Sequence, residues 1–311
     1  MVTVLVTGGA GFIASHVVER LLEQGHDVRV LDDLSTGSRD NLKNVLGRIK
    51  LVEGSILNRD VVRTAVQGCD AIMHLAARTS VPESISHPAA YMETNVTGTA
   101  VVLSEGLAAG VRRVVMASSA AVYGTEIEPP HIENTISSFR QSPYAVGKLA
   151  MEELGKEFSK RGLSCVSLRL FNVFGPRQRA DSDYAAAIPA FMQACLEGSN
   201  PILFGDGTQT RDFAYVENVA ESFIRAAMLP GISGVYNIGS GKPVTIKELC
   251  NYIISISEAE VTSAYGPPRA GDIKHSFADT TRAFNHLGVR EMVTLQEGLK
   301  KTWEWLSAEH G

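Results

Sequence analysis

Cysteine is scarce in this chain: four residues among 311, at positions 69, 165, 195 and 250, with no C-x-x-C pair. That excludes a disulfide framework and a cysteine-based zinc site, and it predicts reduced core thiols in a cytoplasmic protein. Basic blocks are missing too. Lys and Arg total 29 against 34 Asp and Glu, for a net charge of −5, so nucleic acid is not an expected partner. No apolar run approaches the ~20 residues that span a bilayer, so no membrane partner is expected. Met1 leads straight into the first predicted strand, which leaves no room for a signal peptide. Internal repeats and low-complexity segments are absent. What remains is long enough to bury a large core and to form two lobes.

What is present starts at the N-terminus. Val2, Val4, Leu5 and Val6 read as a strand, Gly8, Gly9 and Gly11 as a tight turn, and Ile13, Val17, Val18, Leu21 and Leu22 as a helix ended by Gly25. A helix N-terminus aimed at a glycine turn is an anion site that suits a pyrophosphate. A second strand, Val28 to Leu31, runs into Asp32, at the distance where a dinucleotide fold places its partner for a ribose hydroxyl. The pattern is Gly8-x-x-Gly11-x-x-Ala14. Its last position packs helix on strand, and alanine is small enough for it. The carboxylate of Asp32 would repel a 2′-phosphate, so NAD is favoured over NADP.

Strand and helix patterns then alternate. Strands are expected at Ile49–Val52, Ala71–Ala77, Arg113–Ala117 and Cys165–Leu170, with helices around Val61–Val66, Ala89–Ala109 and Pro143–Arg161. This rhythm predicts an α/β fold, a doubly wound parallel sheet of the Rossmann type, which binds ligands beyond the carboxyl ends of its strands. Asp32, His74, Ser118, Ser119 and Asn172 fall at those ends. After Phe171 the rhythm breaks into loops rich in Gly, Pro and Arg, with Val235–Ile238 as a returning strand and helices at Val216–Met228, Ile246–Ser257 and Leu295–Leu306. A smaller, interleaved C-terminal lobe is expected. Residues 1–172 with about 212–242 would bind NAD; about 173–211 with 243–311 would bind substrate in a cleft between the lobes.

Tyr144 and Lys148 stand four apart near the start of a predicted helix, so phenol and ammonium share a face. A nearby positive charge would draw the phenol pKa from ~10 toward working pH. Ser118 and Ser119 end the preceding strand and could place a hydroxyl beside it.

The motifs run the whole length: Thr7-Gly-Gly-Ala-Gly-Phe-Ile13, Asp32-Asp33, His74-Leu-Ala-Ala77, Asn95, Ser118-Ser-Ala-Ala-Val-Tyr-Gly124, Tyr144-x-x-x-Lys148, Arg169-x-Phe-Asn-Val-Phe-Gly-Pro176, Arg211-Asp-Phe213 and Arg269-Ala-Gly-Asp272. Together they resemble the extended short-chain dehydrogenase/reductase family, in its nucleotide-sugar 4-epimerase branch. The resemblance implies that Tyr144 is general base and acid, with Ser119 its partner on the sugar O4. Lys148 would hold the nicotinamide ribose and tune Tyr144. Gly8, Gly11, Phe12, Ile13, Asp32, Ile56, Leu75, Ala76, Asn95 and Phe171 would hold NAD. Asn172, Phe204, Arg211, Arg269 and Asp272 would hold the nucleoside diphosphate of a UDP-sugar. Ser55 stands where the family usually has an acid touching the adenine; Ile56 can still pack on the ring. A homodimer built on the helices near Ala89–Ala109 and Pro143–Arg161 is also implied.

Two further details concern the reaction and the sugar. Dehydratases and some decarboxylating relatives carry acids directly after the catalytic Ser or Thr. This chain has Ala120 and Ala121, so elimination has no acid, whereas epimerisation needs none. Ser276 occupies the position that, by the resemblance, bounds the pocket for the C2 substituent, and a small residue leaves room for an N-acetyl group. The segment Tyr184–Pro189 also resembles the branch acting on N-acetylated sugars. UDP-N-acetylglucosamine and UDP-N-acetylgalactosamine are therefore the expected substrates, with UDP-glucose and UDP-galactose also accepted. The rival readings are an epimerase for glucose and galactose only, a UDP-glucuronate epimerase, a dehydratase or reductase, and a non-catalytic NAD sensor.

Overall fold

The computed structural model describes residues 1–179, 186–268 and 272–310, with residue 310 described for its backbone only. Its strands are β1 (Thr3–Thr7), β2 (Asp27–Asp32), β3 (Ile49–Glu53), β4 (Ala71–His74), β5 (Arg113–Ser119), β6 (Ser164–Leu170), β7 (Asn172–Phe174), β8 (Ile202–Phe204), β9 (Thr210–Tyr215), β10 (Gly234–Ile238), β11 (Pro243–Thr245), β12 (Ala264–Gly266) and β13 (His275–Ser276). Its helices are α1 (Phe12–Glu23), α2 (Arg59–Val66), α3 (Val81–Ser86), α4 (Pro88–Met92), α5 (Thr99–Ala108), α6 (Pro143–Lys160), α7 (Ala187–Leu196), α8 (Val216–Met228), α9 (Ile246–Ser257), α10 (Thr281–Leu287) and α11 (Leu295–His310).

Seven strands form one sheet in the order β10-β6-β5-β4-β1-β2-β3, parallel throughout. This is the doubly wound order with the reversal at β1, extended by one strand. The alternation of strand side chains divides its core. Val4, Val6, Met73 and Val115 face α1 and α8, while Leu5, Ile72, Val114 and Met116 face α2, α5 and α6. Burying Val17, Val18 and Leu21 completely contributes about 1.5–3 kcal/mol each toward holding α1 on the sheet.

The chain leaves the large sheet after β6, returns for β10 and leaves it again. Outside that sheet, β7, β11 and β13 pair with β9, and β8 pairs with β12. The β7–β9 register sets Asn172 opposite Phe213. A third core of Phe174, Phe191, Leu203, Phe213, Leu249 and Leu299 lies beneath these short strands.

Two elements differ from the sequence expectation. The helix expected over 89–109 is broken into α4, a π-helical stretch Glu93–Gly98 and α5. The wide turn lets the Asn95 side chain leave the helix face and clasp the Arg78 backbone, accepting from its N–H (2.8 Å) and donating to its carbonyl (2.9 Å). Gly98 meanwhile packs on Ile56, whose Cδ1 would lie 2.5 Å from an added Cβ. The second difference is α7, which the loop-like composition around it concealed. Its apolar residues Ile188, Phe191, Met192 and Cys195 are buried at helical spacing.

Candidate active site

The glycine turn comes first. Gly8 has φ +69° and lies so close to Ala76 that a Cβ would sit 2.7 Å from that backbone, so only glycine fits. No side chain caps α1 and its first turn holds no acid, which leaves its amides free for an anion. Asp32 is buried. It accepts from the Ala10 amide (2.9 Å) on one oxygen and the Leu34 amide (2.8 Å) on the other, so each oxygen keeps a lone pair for a hydroxyl. Burial pushes its pKa up, and the two amide bonds oppose the rise. Ile56 is buried against Gly98, while Phe12, Ile13, Leu75 and Ala76 are half-buried around the turn.

A polar chain that sequence reasoning left without a role supports this turn. The Ala76 amide donates to Thr7 Oγ1 (3.3 Å), and Thr99 Oγ1 donates to the Asn95 carbonyl (2.7 Å). Thr99 has spent its only proton, so His74 Nε2 must donate to it (2.9 Å). Burial and Lys148 lower the His74 pKa to about 3 and keep the ring neutral, and Thr7 then donates to the unprotonated Nδ1 (2.7 Å). The signal in the sequence was a histidine at the carboxyl end of an otherwise apolar strand.

The reacting group stands beside it. Ser142 caps α6 by accepting from the Ala145 amide (3.2 Å), and Pro143 opens the helix. Tyr144 therefore lies in the first turn, at the positive end of the helix. Its phenol is hydrogen-bonded to Ser119, the last residue of β5. Lys148 is 3 % exposed and donates from Nζ to the Ala117 carbonyl (2.6 Å), with its ammonium 5.7 Å from the Tyr144 ring centre. The expectation of a lowered phenol pKa is not what this geometry produces. Burial raises the Tyr144 pKa, and the Ser119 bond only partly offsets it. Burial also lowers Lys148 to about 8, with Glu152 opposing.

After Ser119 the chain turns through a 3-10 segment, Ala120–Tyr123, in which the Ala121 amide donates to Ser119 Oγ (3.2 Å). No acid stands in this turn. Further along, Glu133 accepts from the Asn237 amide (2.9 Å) and Glu126 from the Ser137 hydroxyl (2.9 Å). Phe171 is buried, its ring packed near Tyr123 (6.3 Å) and His131 (6.2 Å).

A cavity of about 460 Å³ opens in the second lobe. Asn172, Phe204, Arg211 and Asp272, four of the residues expected to hold the nucleoside diphosphate, line it together with Ile188 and Phe191 of α7. This size falls within the range of small-molecule sites. Arg211 pairs with Asp272 and also donates to the Thr210 carbonyl (2.8 Å), which orients its fork. Ser276 does not line this cavity; it is buried in β13, in register with Arg211. Arg269, Tyr184 and Ala185 lie outside the described residues. Among the described residues no group of His, Cys, Asp and Glu could hold a metal, and no helix is long and apolar enough to cross a membrane. All four cysteines are buried and free.

Comparison with known proteins agrees with this layout. The chain is 38% identical over 306 residues to a UDP-glucose 4-epimerase of Mycolicibacterium smegmatis, covering 97% of each. Its fold is similar to that of the UDP-glucose 4-epimerase of Thermotoga maritima solved with UDP-glucose, with TM-score 0.94, 34% identity and coverage of 99% of this chain and 100% of that one. It is equally similar to a UDP-N-acetylglucosamine 4-epimerase of Methanobrevibacter ruminantium in complex with UDP-N-acetylmuramic acid, with TM-score 0.95, 35% identity and 99% of each chain covered. Residues 4–239, which carry the glycine turn, the half-buried Ser119 and the buried Tyr144 and Lys148, match one family throughout: the chain belongs to the NAD dependent epimerase/dehydratase family.

Proposed function

We propose that this enzyme is a 4-epimerase of UDP-hexoses that acts on UDP-N-acetylglucosamine and UDP-N-acetylgalactosamine and also accepts UDP-glucose and UDP-galactose. The observation that carries the reading is the half-buried Ser119 beside the buried Tyr144 and Lys148, with Ala120 and Ala121 following Ser119 where an eliminating enzyme needs an acid. The broader sugar range rests on the resemblance, by which the small Ser276, in register with Arg211, would leave room for an N-acetyl group.

Gly8, Gly11, Phe12, Ile13, Asp32, Ile56, Leu75, Ala76, Asn95 and Phe171 would hold NAD. When bound, NAD supplies a hydride acceptor and donor at the sugar C4 and adds positive charge near the phenol. The chain's own part is proton handling. Ser119 holds O4 by its hydroxyl. Tyr144 takes the proton from the C4 hydroxyl and later returns it, so no net redox results. Lys148 holds the nicotinamide ribose and favours the phenolate against the burial that opposes it. Asn172, Phe204, Arg211, Arg269 and Asp272 hold the diphosphate and uridine while the ketosugar turns over. The arginine forks suit that task because they bind oxygens bidentately.

In the same reading, residues 1–172 with about 212–242 form the NAD-binding domain, and about 173–211 with 243–311 the nucleotide-sugar domain. The half-buried Val96, Leu107, Leu149 and Leu154, on the helical run 88–108 and on α6, would pair two copies.

The test uses purified protein with no added cofactor. UDP-N-acetylglucosamine and UDP-glucose are offered separately and each 4-epimer is followed by NMR. Conversion of both is expected. Conversion of UDP-glucose alone would remove the role given to Ser276. Conversion of neither, even with NAD added, would end the epimerase reading. The sensor reading would gain only if Tyr144→Phe left the biological role unchanged.

A further inference from the structure

Lys148 and Glu152 stand four residues apart on α6, the spacing at which a lysine and a glutamate on one helix face form an ion pair. They do not pair. Arg169 takes the Glu152 carboxylate with both arms of its fork, Nε on one oxygen (2.9 Å) and Nη2 on the other (2.8 Å), and the Ser118 hydroxyl donates to the first. All three side chains are buried. Ser118 and Arg169 are direct partners in the β5–β6 register, so the carboxylate docks on the sheet at a single level. The remaining arm of Arg169 donates to Tyr123 Oη (3.0 Å) and to the Glu133 carbonyl (2.9 Å), which holds the fork still. Lys148, left without a carboxylate, turns to the Ala117 carbonyl.

We propose that Arg169 is a positioning residue that withholds Glu152 from Lys148, so that the Lys148 ammonium stays turned toward Ala117 and Tyr144 instead of being captured by its own helix neighbour. This rests on the reading of Tyr144 and Lys148 as the proton-handling pair. Along α6, Glu152 lies one turn beyond Lys148 and Tyr144 one turn before it. A Lys148–Glu152 pair would therefore draw Nζ away from the phenol and cancel the charge that favours the phenolate. Arg169 satisfies the carboxylate with a neutral balance and leaves the lysine charge free.

The groups that face Lys148 are Tyr144 and Glu152 from its own helix, His74 from β4, the Ala117 carbonyl from β5 and, through Glu152, Arg169 from β6. His74 is neutral, so the titration of Lys148 answers mainly to burial and to Glu152. Removing the guanidinium and removing the carboxylate should then move Lys148 in opposite directions. Arg169→Met frees the carboxylate to pair with Lys148 and raises its pKa, whereas Glu152→Gln deletes the opposing charge and lowers it.

The experiment follows the ¹³Cε signal of Lys148 in lysine-labelled holoenzyme through pH, assigned by its loss in Lys148→Arg, alongside kcat with the UDP-sugar. The midpoint should rise by about one pH unit or more in Arg169→Met and fall by a similar amount in Glu152→Gln. kcat should drop by about 30-fold or more in Arg169→Met, within the usual reach of a proton-transfer defect. It should recover to within about tenfold of wild type in Arg169→Met/Glu152→Met, where no carboxylate is left to capture the lysine and neither member of the Arg169–Glu152 pair is left without the other. An unmoved Lys148 midpoint in Arg169→Met, or a double variant no faster than that single one, would overturn the proposal and leave Arg169 a brace of the fold. Should Arg169→Met not fold, Arg169→Lys replaces it. One ammonium cannot hold both oxygens, so a smaller rise of the same sign is expected, and no rise overturns the idea. The titration reads independently of turnover, so a wild type that converts no sugar would fail the functional reading without deciding this one.

Discussion

Ser119 and Tyr144 stand on a seven-residue strand and an eighteen-residue helix, whereas Asn172, Phe204 and Ser276 stand on strands of three, three and two residues. The ion pairs beside them differ in the same sense. Arg169 and Glu152 have side chains 1% and 0% exposed; Arg211 and Asp272 are 14% and 35% exposed. Proton transfer needs a dry and fixed geometry, which long, buried elements provide. A nucleotide must enter and leave, which calls for a cavity with an open side, walled by short strands and loops. In the proposed reading one pair braces a reacting group, and the other is an exchangeable contact that a diphosphate would take over.

Substitutions on either side should separate the two halves by kinetics. The largest effect is expected at Tyr144→Phe, which removes the transferred proton's carrier while keeping the ring. kcat should fall by about 10³-fold with the far-ultraviolet circular dichroism and the bound NAD unchanged. Retained turnover would break the comparison at its centre.

Lys148→Met should follow, with a loss of about 10²-fold in kcat and, unusually, a gain in thermal stability at neutral pH. The sign follows from burial, which lowers the folded pKa to about 8 from 10.5. Between those values the unfolded chain holds more protons, so the wild type gains stability as pH rises. The Tm advantage of the variant should therefore be full below pH 8 and shrink toward pH 10.5. An advantage that grows with pH would contradict the assignment.

In the second lobe the effects should be smaller and fall on binding. Ser276→Tyr should cut kcat/KM for UDP-N-acetylglucosamine by about 10–100-fold relative to UDP-glucose, read by competing the two sugars in one NMR tube. Arg211→Met should raise KM by about tenfold and leave kcat within a few-fold, since the contact is made equally in ground and transition states. A kcat loss that matched the KM change would mean that this lobe also positions the sugar for chemistry.

The same division decided what could be read in advance. In the large sheet, Val4-Leu-Val-Thr-Gly-Gly-Ala-Gly and Ala71-Ile-Met-His each pair a strand pattern with a turn or an end signal; β1, β2 and β6 lie within a residue of where the pattern put them, and β4 ends three residues short, at His74. Tyr144 and Lys148 share a face because helical spacing demands it. Beyond β6 the helices α8 and α9 were legible, but the short strands of the second lobe escaped because two or three residues have no period to detect, and α7 escaped because it sits beside loop-like composition. The π-helical break at Asn95 escaped for another reason: its cause is a contact with Arg78, seventeen residues away.

Local pattern alone thus determined the glycine turn with Asp32 behind it, the Tyr144–Lys148 spacing and the lack of an acid after Ser119. Each depends on backbone geometry within one or two turns, or on residue identity alone. Only the tertiary structure decided where charge is free. Lys148 and Glu152 have the spacing of an ion pair, yet Arg169, brought to them by the β5–β6 register, takes the carboxylate. Burial in the same packing raises the phenol that the nearby lysine was expected to lower. Desolvation and long-range pairing are properties of the assembled core, and no stretch of sequence carries them by itself.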